Sequence, residues 1–193
     1  MAVLLLGLVL FLGVHSTRVF AEPWRVRTIG RVGEKRYKGV YTLVSLAGFA
    51  LLVWGYSLAR QQPVVLWSPP RGMNHLAALL MGVSFVLLAA AYVPRNAIQA
   101  RLHHPMVLGV KVWALAHLLA NGTLADVVLF GSFLLWAVLD FRAARQRDRI
   151  AQVASAPGTT KGTAIAAVSG LVLYAVFAFW AHAWLIGVRP LGM

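Results

Sequence analysis

The chain contains no cysteine. Disulfides, thiolate metal ligands and cysteine nucleophiles are therefore excluded, and the redox compartment is left open. Acidic residues are nearly as scarce, with five Asp/Glu against 18 Lys/Arg in 193 residues. Charged residues make up 12%, about half of what a soluble domain uses to cover its surface. A compact water-soluble globule is excluded on that ground.

What is present is apolar. Hydrophobic residues account for 60% of the chain, and mean hydropathy is +0.75. A membrane-spanning helix takes about 20 apolar residues. Six would use about 120 and leave roughly 70 for loops and termini, too few for a separate soluble domain. The expectation is one integral-membrane domain over residues 1–193. Six apolar runs fall at about 1–21, 39–60, 73–93, 106–121, 123–141 and 162–185. They lack the alternation of barrel strands, so the predicted fold class is all-α, a polytopic transmembrane bundle of about six helices. Val19-Phe20-Ala21 loosely resembles a leader cleavage site. The run before it has no Lys or Arg at its start and is too long for a leader core, so it reads as a resident helix.

Charge sets the expected orientation. Fourteen Lys/Arg lie at the first, third and fifth connections; Arg60, Arg71 and Arg189 lie on the other side, and Lys111 falls within the fourth run. Positive charge stays in the cytoplasm, which places the connections at about 22–38, 94–105 and 142–161 inside and both termini outside. A pI near 11.5 could otherwise suggest nucleic-acid binding. Here the basic residues flank apolar runs, so no nucleic-acid partner is expected. The stretch from Arg142 to Gly162 reads as a solvated, mobile loop whose Arg-rich start could touch anionic lipid.

Ionisable groups within apolar runs are costly and are the first functional candidates. They are His15, His75, Lys111, His117, Asp126, Asp140 and His182. Asp140 reads as a helix-end charge paired with Arg142 or Arg145. Asp126 sits in a first helical turn, where a carboxylate suits the helix dipole. A lone interior histidine is usually a packing residue. Four of them in a cysteine-free chain raise haem or metal ligation, since neutral imidazole binds iron and a bis-His site takes one ligand from each of two helices. Arg18 lies three residues after His15, on the same helix face, where it could hold a haem propionate or simply anchor at the interface. Asn121 follows His117 by four and could orient its imidazole or belong to the turn. His103 and His104 precede Pro105 and read as interfacial. Lys111 shares a stripe with His104 and calls for a carboxylate or an anionic cofactor.

Several motifs carry a family resemblance. His15-Ser16-Thr17-Arg18, His104-Pro105-Met106 with Gly109-Val110-Lys111, Trp113-Ala-Leu-Ala-His117-Leu-Leu-Ala-Asn121-Gly122 and the terminal Trp184-Leu-Ile-Gly-Val-Arg-Pro-Leu resemble the NnrU family over essentially the whole chain. That resemblance implies a bacterial inner-membrane protein linked to denitrification, with nitric oxide reductase or a related membrane component as partner. His15-Ser16 and Leu115-Ala116-His117 are also similar, more distantly, to the haem b-binding 15-cis-zeta-carotene isomerases. This implies haem b with His15 and His117 as axial ligands. The Cys those enzymes carry three residues before the second His is Ala114 here. His103-His104-Pro105-Met106-Val107-Leu108-Gly109 is remotely similar to the isoprenylcysteine methyltransferase motif, with its Arg and Tyr both replaced.

The expected function is therefore a haem b membrane protein of nitrite and nitric oxide metabolism. A haem-dependent cis–trans isomerase of a carotenoid-like polyene and a cofactor-free assembly factor for nitric oxide reductase are the other readings. The sequence alone does not decide whether the protein is an enzyme. A bis-His iron needs its two nitrogens within about 4 Å of each other. With the runs centred in the bilayer, His15 falls about 6 Å to the inner side and His117 about 6 Å to the outer side. His75, at the outer start of the third run, is the reserve partner for His117 by depth.

Overall fold

A computed structural model describes residues 1–154 and 156–191. Among these residues the chain forms helices and no strand. Its first half comprises α1 (Ala2–His15), α2 (Thr17–Phe20), α3 (Glu22–Val32), α4 (Glu34–Gln61) and α5 (Met73–Ala90). The second half comprises α6 (Ala97–Leu102), α7 (Pro105–Ala120), α8 (Leu124–Ile150) and α9 (Thr160–Val176). From α9 a π-helical turn, Phe177–Ala181, leads into α10, His182–Ile186.

Four helical stretches are long and apolar enough to cross a membrane: α4, α5, α8 and the continuous Thr160–Ile186. The apolar helices α1 and α7 are shorter, with 14 and 16 residues. At 1.5 Å per residue they reach about 21 and 24 Å. The six apolar runs thus each correspond to a helix, and the chain is an all-α membrane protein.

Two connections differ from the expectation. The segment 22–38 is helical, because Pro23 opens α3 and side-chain pairs support both turns. Arg25 lies 2.8 Å from Glu22, and Lys38 lies 2.7 Å from Glu34. Likewise α8 continues through the basic run to Ile150. Arg, Gln and Ala are good helix formers, so a run that is too polar for lipid is still comfortable as helix. Of the loop expected over 142–161, Ser155 lies outside the described residues. The first apolar run also stops early. Ser16 separates α1 from α2, with the Thr17 hydroxyl donating to Val14 O at 2.8 Å.

Close helix packing organises the bundle. α1 lies against α4, α5 lies between α7 and α9, and α7 packs on α8, which also touches α1 and α4. At α1/α4 the backbones meet through glycine. A Cβ on Gly7 would lie 2.6 Å from Leu52 N, and one on Gly48 would lie 2.7 Å from Phe11 N. Small residues at such crossings are how helices associate where no water drives them together. The core is Leu4, Leu8, Leu52, Ala114, Ala125, Leu129 and Phe130. Past α4, the extended segment around Val65 crosses the α7–α8 hinge, where Leu66 N donates to Gly122 O and Leu124 N donates to Val64 O, both at 2.8 Å.

Candidate functional site

His117 lies in the last turn of α7 and packs against α8. Its ring stacks on Phe130 with centroids 4.5 Å apart and planes at 27°, and Trp113 lies 5.2 Å away. Nδ1 is 2.9 Å from Trp113 O. A carbonyl only accepts, so the ring proton belongs on Nδ1 and the lone pair on Nε2. Asn121 caps this turn, its Nδ2 donating to His117 O at 2.9 Å. It touches the backbone of the histidine rather than its ring.

The same end holds a polar anchor that sequence reasoning saw only in part. Asp126 is buried and forms a capping box with Thr123. Its other oxygen accepts from the Tyr56 hydroxyl at 2.5 Å. Arg60 lies over the Tyr56 ring at 5.9 Å and donates to Ile186 O at 2.9 Å. The Tyr56–Asp126 bond joins residues 70 apart, which no local pattern could reveal. His182 is 2.7 Å from Val188 O through Nδ1, and its ring meets Phe177 edge-on.

His15 ends α1 with the same local device. Its Nδ1 is 2.6 Å from Phe11 O, and its ring stacks on Phe11 at 4.2 Å. Tyr41 of α4 and Trp136 of α8 flank it at 5.3 and 6.1 Å. The Trp136 indole N–H is buried without a hydrogen-bond partner among the described residues.

Basic residues gather beyond His15. Arg18 contributes its carbonyl, which accepts from Arg147 at 3.1 Å. Asp140 lies 4.0 Å from Arg147 rather than pairing with Arg142 or Arg145. Asp148 holds His104 at 2.8 Å, His103 at 3.4 Å and Arg145 at 3.8 Å. Lys111 finds an aromatic partner in place of an anion, with Nζ 5.0 Å from the centre of the Phe141 ring. His75 stands apart, exposed at the start of α5.

Between His15 and His117 runs a seam of rings. From the stacked His15–Phe11 pair it passes to Phe133 at 5.7 Å, Trp113 at 5.3 Å and His117. On α8, His15 meets Trp136 whereas His117 meets Phe130. Those contacts are six residues apart, about 9 Å along the axis. One six-coordinate iron needs two imidazole nitrogens about 4 Å apart. The donor chemistry of each histidine thus suits an iron ligand, and their contacts on α8 stand six residues apart. Among the described residues, no group of three or more His, Cys, Asp or Glu could hold a metal ion.

No curated protein and no solved structure matches the chain. A family model does, and it takes in nearly every helix described above. It is the model described as NnrU protein, and it matches residues 3–190. The apolar helices and this match together place the chain in the NnrU family of membrane proteins.

Proposed function

We propose that this chain binds haem b in nitrogen-oxide metabolism, with His117 as the protein ligand to iron. One observation carries the reading: the Nδ1–Trp113 O bond fixes the tautomer that leaves Nε2 open, and ring contacts hold the imidazole in place. Ligating histidines are oriented by this kind of second hydrogen bond. The family's link with denitrification supports nitric oxide chemistry, and a membrane nitric oxide reductase is the partner that link favours. Bound there, haem iron supplies redox chemistry and a coordination position for a diatomic ligand. The contacts of His15 on α8 stand six residues from those of His117, so the proposal assigns the iron to His117 alone. Trp113 and Phe130 position the His117 ring, and Asn121 secures its turn.

The basic end faces the cytoplasm in this reading, and both termini lie on the periplasmic side of a bacterial inner membrane. The test is haem content after expression with ample haem. The wild-type protein is expected to show a Soret band, His117→Ala to lose most of it, and His15→Ala to keep most of it. No Soret band in the wild type, or full haem retention in His117→Ala, overturns the proposal.

A further inference from the structure

We infer that α3, the start of α4 and the extension of α8 form one surface that binds the headgroups of anionic phospholipids. α8 has 27 residues, about 40 Å, so about two turns of it pass beyond a hydrocarbon core of about 30 Å. That extension is fixed to the rest of the molecule, because Arg147 donates to Arg18 O and α2 packs on both α8 and α3.

Every carboxylate on this side is already matched within the chain. Glu22 lies 2.8 Å from Arg25, Glu34 2.7 Å from Lys38, Asp140 4.0 Å from Arg147 and Asp148 2.8 Å from His104. The fifth acid, Asp126, bonds Tyr56 at the opposite end. Arg27, Arg31, Lys35, Arg36, Arg142 and Arg149 remain exposed with no carboxylate of the described residues to neutralise them. Trp24, Val26 and Val32 are exposed among the cations of α3, and Ile150 ends α8 exposed. Cations interleaved with an aromatic and aliphatic side chains suit the headgroup boundary, where charge meets phosphate and rings sit at the interface. A nucleic acid or an acidic protein would match the charge and leave these apolar side chains in water. The inference stands independently of haem binding.

The test reconstitutes the full chain in bilayers of equal phosphatidylglycerol and phosphatidylcholine, then counts retained lipids by native mass spectrometry. Wild type is expected to keep phosphatidylglycerol over phosphatidylcholine by about tenfold, given how strongly each basic residue near an anionic surface is attracted. The Arg27→Gln/Arg31→Gln/Arg142→Gln/Arg149→Gln variant is expected to lose most of that preference. Arg71→Gln, at the other end, is expected to keep it. The single Arg142→Gln and Arg149→Gln variants, expected to lose part of it, serve if the fourfold variant loses helical content. Equal retention of both lipids by the wild type overturns the inference. So does an unchanged preference in the folded fourfold or single variants, or displacement of phosphatidylglycerol by polyglutamate or RNA.

Discussion

His15 and His117 each donate the Nδ1 proton in a hydrogen bond to the carbonyl four residues earlier and leave Nε2 with its lone pair. Both residues stood out in the sequence because an ionisable side chain within an apolar run is costly. Their surroundings did not. Trp136 and Tyr41 beside His15 come from helices distant in sequence, and Phe130 beside His117 comes from the next helix across the hinge. Asp126 is the sharpest case. Its first-turn position is legible as a helix-dipole match, while its bond to Tyr56 depends on how α4 meets α8. Asp126→Ala removes a cap and leaves a Tyr56 hydroxyl without its acceptor. The expected loss is about 2–4 kcal/mol from the cap and the buried hydrogen bond together. Unfolding in mild detergent measures it, and a loss near zero would mean the pair is not formed.

Helices were legible where apolar runs are long, and their ends were not. Hydropathy reports what lipid tolerates, whereas helix formation follows backbone propensity, and the two part company wherever the sequence turns basic. Arg142 to Ile150 is the clear example, a stretch too charged for lipid that the structure continues as α8. The π-helical turn Phe177–Ala181 has no sequence signature of its own, and the break at Ser16 falls in the polar His15-Ser16-Thr17-Arg18 stretch of a run read as one span. The α8 extension also offers the cleanest check on orientation. A fluorescent protein fused after Gln152 is expected to fluoresce, and alkaline phosphatase fused there is expected to be inactive. Active phosphatase at that site would invert the orientation.

Across the molecule, one arrangement governs the functional reading. Antiparallel α7 places His117 at the hinge end of α8, while α1 runs alongside α8 and delivers His15 nearer its basic end. Depth counting along the sequence sets His15 toward the inner side and His117 toward the outer side, and a ring seam through Phe11, Phe133 and Trp113 links the two. The sequence-based expectation is both histidines on one haem; the proposal is His117 alone. The spin state of the ferric protein separates these directly. Electron paramagnetic resonance of the haem-loaded protein is expected to show a high-spin signal that His117→Ala removes and His15→Ala leaves in place. A low-spin bis-imidazole signal that either substitution abolishes would contradict single-histidine ligation.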